Sequence, residues 1–213
     1  MIPARDPAAG AVALVVLDFE TTGLIPDTEF NSATRIATAD WSDRVPLECA
    51  AVVTDWDFRI IEAREWLIAH ENLKELVAGC HERVYAMHTE NGLWRDLLAE
   101  KPPKPRIALG QLDDYLCDLA TPWDPRNKPL LAGFTCSFDR EFLKVYAPKF
   151  AKKIHYRDFN VSTIREWAKV VYPNWGPGND PPAHRAIDDC LAPIKYAKWF
   201  RQHVMVPYHR ADG

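Results

Sequence analysis

Apolar and polar positions change period several times along the chain. From Val12 to Leu17 every residue is apolar, the pattern of a strand buried on both faces, and a first strand is expected over 12–19. Two further strand patterns, 47–56 and 58–68, carry Val52, Val53, Ile60 and Ile61 around the turn Asp55-Trp56-Asp57. Short connections between such runs predict an antiparallel meander. Helical spacing then takes over, first at Leu93, Leu97 and Leu98 and again at Leu112, Tyr115, Leu116 and Leu119, with "KPPKPR" (101–106) separating the two. The run "PLLAGFT" (129–135) reads as a short buried strand, and Phe138, Phe142, Leu143 and Tyr146 predict a helix that stops at Pro148. Residues 154–161 are expected to form the last strand. Thr163, with Glu166 three residues on, has the spacing of a capping box that opens a helix through Val171. The loop "YPNWGPGNDPP" (172–182) is irregular and leads to a final helix from about Arg185 to His203, which Pro193 should bend. Strands first, then alternating helix and strand, predict an α/β protein with a mixed sheet flanked by helices.

Composition narrows the class. A chain of 213 residues with 47% hydrophobic content can bury one substantial core, so a single domain over 1–213 is expected, with residues 1–11 flexible. Residues 25–46 form a long polar connection of weak pattern, an insertion of the kind that compact domains keep for function or leave unfolded. The formal charge is -4 and no block of five or six like charges occurs, which argues against an extended basic face for a long duplex. The five cysteines contain no C-x-x-C pair, so reduced thiols in a cytoplasm are expected rather than a disulfide framework or a cysteine-zinc site. The apolar runs are too short for a membrane span and "MIPARDPAAG" lacks a signal-peptide core, so a soluble protein is expected.

The candidate chemistry begins where the first strand ends. Asp18 and Glu20 are two residues apart, so on a strand both carboxylates point to one side. Converging hard oxygen donors suit Mg²⁺ or Mn²⁺, whereas a buried uncompensated pair would be costly; two solvated acids at a strand end is the plainer alternative. Asp139 stands near the start of the helix after the buried strand, a place where acids are also common for the helix dipole alone. "HRAIDDC" puts His184 five residues before Asp189 as the last helix begins. Asp188 competes with Asp189, but Asp189 heads the line Pro193, Tyr196, Phe200 that should face the protein.

Taken together and in this order, D-x-E-T-T-G-L at Asp18–Leu24, the Asp at 139 and H-x-x-x-x-D at His184–Asp189 resemble the histidine subclass of the DEDD exonuclease superfamily. "MHTENGL" (87–93), "FDREFL" (138–143) and "HYRDFNVSTIREWAKVVYP" (155–173) look like segments of its oligoribonuclease branch, which degrades very short RNAs to mononucleotides. The resemblance covers about residues 12–203. It implies a ribonuclease H-like fold with a mixed five-stranded sheet, and two divalent ions, Mg²⁺ or Mn²⁺, held by Asp18, Glu20, Asp139 and Asp189. It also implies His184 as general base, and 3′-to-5′ hydrolysis of short single-stranded RNA to nucleoside 5′-monophosphates. By the same resemblance Leu24 would wedge between the last two bases, His88 and Thr135 would contact substrate, and Tyr156, Arg157, Ser162 and Thr163 would cap a 5′ phosphate across a homodimer. A DNA-directed exonuclease of the proofreading type is the alternative enzyme, and a non-catalytic nucleic-acid-binding module the alternative outside catalysis.

This sequence departs from that branch in places. Arg83 stands where the branch has a tryptophan five residues before the histidine of "MHT", Asn160 replaces an aspartate, Phe134 replaces an asparagine, and the 25–46 insertion has no counterpart. A terminal base would have to stack on another ring, with Phe134 and Tyr85 as the candidates.

Overall fold

Strand β1 (Leu14–Thr21) lies inside the sheet, antiparallel to β4 (Pro46–Thr54) on one side and parallel to β7 (Leu130–Gly133) on the other, which is why Leu14–Leu17 are apolar on both faces. The fold is described by a computed structural model, which covers residues 12–24, 28–31, 36–39, 44–119, 127–173 and 183–205. Strand β5 (Ile60–Ala69) pairs antiparallel with β4, completing the expected meander, and β6 (Arg106–Ala108) and β8 (Asp158–Asn160) close the two sides. The order is β6-β5-β4-β1-β7-β8, a six-stranded mixed sheet rather than the five strands expected. The additional strand, β6, lies at the end of the proline-rich breaker, where three residues pair in parallel with β5.

Alternation along β1 divides the core. Val15, Leu17 and Phe19 pack with Phe142, Leu143 and Phe150 from α5 (Cys136–Tyr146) and α6 (Pro148–Lys153), and with Leu112 and Leu116 from α4 (Leu112–Cys117). Leu14 and Val16 face Cys190, Ile194, Tyr196 and Ala197 of α8 (Ala186–His203) on the opposite side. Asp18 and Glu20 continue the second parity, so β1 carries both carboxylates on the face covered by α8. Helix α8 continues through Pro193, which is buried.

Two local expectations, the 154–161 strand and the Thr163 cap, are corrected, and further elements appear. Pro148 ends α5 but starts α6 at its first turn, where the missing N–H costs nothing; Asp113 of α4 accepts the Lys149 and Phe150 amides at 3.0 and 2.9 Å and so caps the new helix from outside. Residues 154–161 supply only the three-residue β8. Helix α7 (Val161–Val171) begins two residues before Thr163, because the Asn160 side chain accepts the Ser162 amide at 3.0 Å and takes the cap; Thr163 is an exposed residue of the first turn. Helices α1 (Leu73–Gly79) and α2 (Glu82–Glu90) precede α3 (Leu93–Leu98) without having been expected. Within 25–46, β2 (Thr28–Asn31) and β3 (Ile36–Ala39) form a separate antiparallel pair. Residues 1–11, with the flexibility expected there, and most of the irregular 172–182 loop lie outside the described residues.

Candidate active site

Strand β7 stops short of β1. Their last pair is Val16 with Ala132, so beyond Leu17 the β7 side of β1 has no strand to receive its amides. Asp139, in the first turn of α5, fills that place: its Oδ1 accepts the amide of Phe19, the residue between Asp18 and Glu20, at 3.2 Å, which seats its carboxylate near both of theirs. From the other side, α8 brings Asp189. One ligand atom each from Glu20, His184 and Asp189 falls within 4.8 Å of the others. Asp188 is exposed and Asp189 half-buried, in keeping with the helical line through the buried Pro193 and Tyr196.

Electrostatics set these acids apart from ordinary surface carboxylates. Burial, then the charge of Asp189, then that of Glu48 raise the Asp18 carboxyl far above its usual range, and burial followed by Asp18, Asp189 and Glu48 pushes Glu20 up to about 9. Burial and then Asp18 raise Asp139; burial raises Asp189 against the lowering effect of His184. Among the described residues no lysine or arginine is ion-paired with any of the four, and the nearest basic atom to Glu20 is His88 Nδ1 at 3.9 Å. Arg185 lowers Glu20 only against the larger raising effects, and four hard-oxygen donors whose excess negative charge no lysine or arginine ion pair among the described residues offsets fit divalent cations.

A neighbouring acid is treated differently. Glu48, the cross-strand partner of Glu20, is completely buried but accepts from Lys104 Nζ at 2.7 Å, Arg185 Nη2 at 2.8 Å, Arg185 Nε at 3.1 Å and the Ala186 amide at 3.0 Å. Despite the burial that opposes it, these bonds hold Glu48 below its ordinary pKa. It is an ionised, saturated group beside an unsaturated cluster. Arg185 also reaches Asp96 Oδ2 at 2.9 Å and the Asn91 carbonyl at 3.3 Å. Glu48, Asn91, Asp96 and Lys104 were not anticipated from the sequence.

His88 is fully buried. Its Nε2 lies 3.0 Å from the Thr21 carbonyl, which can only accept, so Nε2 carries the proton and Nδ1 presents a lone pair without a hydrogen-bond partner. Trp94 packs edge-on at 5.3 Å. Leu24 is 76% exposed and Tyr156 73%, with the Arg157 guanidinium 5.3 Å above the Tyr156 ring. Thr135 is exposed at the start of α5, and the Ser162 hydroxyl donates to the Phe134 carbonyl. A cavity of about 300 Å³ beside Tyr156 is lined by Lys128, Arg140, Lys152, Ile154 and His155. Of the two candidate stacking rings, Phe134 is covered by Arg165 at 4.5 Å and meets Tyr196 edge-on, whereas Tyr85 is exposed on α2 three residues before His88.

The raised carboxyls give a pH signature. Glu20 has an ordinary value of 4.5 and a folded value of about 9, so between those limits the folded chain holds a proton that the unfolded chain has lost. The associated stability is present in full below the ordinary value and is lost as pH rises through the folded one. In EDTA, the midpoint of thermal unfolding should therefore fall between about pH 5 and 9. Glu20→Gln should flatten that slope, and saturating Mn²⁺, which replaces the proton as counter-charge, should offset it. Calorimetric scans across pH with and without Mn²⁺ check this.

Comparison with known proteins points the same way. Residues 15–197 match the RNase T family model, described as an exonuclease. An oligoribonuclease from Neisseria meningitidis is 29% identical over 205 residues, covering 92% of this chain and 95% of that protein. One from Corynebacterium diphtheriae is 31% identical over 194 residues, covering 89% and 81%. Among solved structures, E. coli exonuclease I in complex with a 5cy-dT13 oligonucleotide aligns with a TM-score of 0.59 at 17% identity, over 90% of this chain. This chain spans only 41% of that structure, so the likeness is one of fold. Among the described residues no helix is long and apolar enough to cross a membrane.

Proposed function

Because the chain belongs to the RNase T exonuclease family and within it to the oligoribonucleases, we infer that it is a 3′-to-5′ exoribonuclease that hydrolyses short single-stranded oligoribonucleotides to nucleoside 5′-monophosphates. The observation that carries this reading to the chemistry is the meeting of Glu20, His184 and Asp189 at the end of β1, where Asp139 holds the Phe19 amide. Asp18, Glu20, Asp139 and Asp189 are the residues that would hold two divalent ions, Mg²⁺ or Mn²⁺. Two such ions supply, when bound, charge stabilisation for the attacking and leaving oxygens of an in-line displacement at phosphorus. His184 takes the proton of the attacking water at a ring nitrogen, the general-base work for which imidazole is the side chain most often used. As the water oxygen bonds to phosphorus, the bond from phosphorus to the 3′ oxygen of the preceding nucleotide breaks.

Substrate contacts follow exposure. Leu24, Thr135, Tyr156 and Arg157 are accessible to an oligonucleotide, and Tyr85 is the accessible ring for the terminal base. Thr163 is accessible as well, while Ser162 and His88 engage the protein itself and would act from beneath that surface. The cationic cavity beside Tyr156 supports phosphate recognition at that end, in a homodimer where one protomer's segment meets substrate bound by its partner. Free cysteines among the described residues suit a reducing compartment such as the cytoplasm.

A length series tests the assignment. With RNAs of two to twenty nucleotides, turnover should be fastest for the shortest and slower for DNA of the same sequence. Binding in Ca²⁺ should plateau early, with a slope of log affinity against log salt of about 1.4–2.1 in magnitude for two or three phosphate contacts. A steeper slope that keeps growing with length would favour the proofreading-type reading instead.

A further inference from the structure

His184 is held in a backbone conformation that histidine adopts at a cost. Its φ is +50°, in the left-handed region, which residues other than glycine enter at a cost and keep only where the surrounding structure enforces it. The three residues 184–186 are gripped from outside their own helix. The Asn91 side-chain amide, at the end of α2, donates to the His184 carbonyl. Arg185 is forked between Glu48, Asp96 and the Asn91 carbonyl, and the Ala186 amide donates to Glu48. Glu48 is itself the cross-strand partner of Glu20. One clasp thus joins β4, at the residue paired with the metal-site carboxylate Glu20 of β1, to the turn that carries the histidine.

We propose that Asn91 and Arg185 are positioning residues for the hydrolysis: with Glu48 as anchor they fix the His184 main chain in its left-handed turn and so set the imidazole against Glu20 and Asp189. The inference rests on the reading of His184 as the proton acceptor. Neither Asn91 nor Arg185 touches the reacting atoms; each acts through the histidine. Without the Asn91 bond the His184 peptide can relax toward a commoner conformation and carry the ring out of place, and displacement of about 1 Å at a reacting group costs on the order of 10² in rate.

A double-mutant cycle in the full-length protein tests this, with Asn91→Ala made in both the wild-type and the His184→Ala backgrounds. In the wild-type background kcat should fall about 10- to 10²-fold while KM changes less than about twofold. Mn²⁺ affinity by calorimetry should hold within the same margin. In the His184→Ala background Asn91→Ala should cost nothing further. Asn91 also accepts the Leu93 amide at 2.9 Å, so a purely structural role would lower thermal stability and reduce activity equally in both backgrounds. That result, or unchanged kcat in the wild-type background, overturns the proposal. Should Asn91→Ala fail to fold, Arg185→Lys keeps a cation on Glu48 but loses the fork, and the same non-additivity with His184→Ala is required of it. If His184→Ala alone leaves kcat intact, it is the assignment of His184 as general base that fails, not the clasp.

Discussion

Asp139→Asn should lose more than about 10³-fold in kcat and keep its fold. Asparagine retains the Oδ1 that accepts the Phe19 amide, so the contact that seats the α5 residue against β1 survives. What disappears is one negative charge from a cluster that, among the described residues, has no lysine or arginine partner. In EDTA that loss removes like-charge repulsion from Asp18 and Glu20, and thermal stability should be unchanged or higher. Mn²⁺ affinity should drop together with kcat. Asp18→Asn should behave in the same way, whereas Asp188→Asn, at an exposed position, should stay near wild type. Steady-state kinetics, Mn²⁺ calorimetry and thermal scans on the three variants distinguish a metal site from a merely buried acid. If Asp188→Asn were inactive and Asp189→Asn active, the register of α8 against the site would have to shift by one residue.

His184→Ala should reduce kcat by about 10²–10⁴-fold and leave substrate affinity in Ca²⁺ nearly unchanged, the pattern of a lost general base. The side chain shares its 4.8 Å cluster with Glu20 and Asp189, but its removal takes away no carboxylate, so Mn²⁺ binding should weaken far less than in the aspartate variants. Truncation should not disturb the turn, since Asn91 holds the main-chain carbonyl of residue 184 rather than its ring. Equal loss of kcat and of metal affinity would make His184 a ligand first and a base second.

Residues whose chemistry is expressed locally were legible in the sequence. The two-residue spacing of Asp18 and Glu20 places both on one face of β1 whatever lies above them, and the apolar parity of Val15, Leu17 and Phe19 against Leu14 and Val16 is what the two cores show. The preference for Asp189 followed from the apolar line Pro193 and Tyr196, both buried. Illegible features depended on partners far along the chain. Glu48 and Arg185 are 137 residues apart, and nothing at either position marks it as half of a pair. Helices α1 and α2 are short, and their apolar positions, Leu73, Leu76 and Val77 in one and Val84 and Met87 in the other, are only half-buried, so each stripe covers barely two turns and is faint. The proline that reads as a stop for α5 is equally a start for α6, and only the Asp113 carboxylate, contributed by α4, decides between them. Strand β6 exists because β5 offers it a free edge, not because Arg106–Ala108 prefer to be extended.

The central claim, that the carboxylates around β1 form a metal-dependent exonuclease centre working from the 3′ end, is tested most directly by one time course. A seven-nucleotide RNA labelled at its 5′ end is incubated with the protein in Mn²⁺, in EDTA, and in EDTA followed by excess Mn²⁺, and the products are resolved to single nucleotides. The expected result is a ladder that shortens one nucleotide at a time from the 3′ end, with no cleavage in EDTA and full recovery on adding Mn²⁺. Internal fragments without a ladder, immediate release of the labelled 5′ nucleotide, or equal cleavage in EDTA would contradict it.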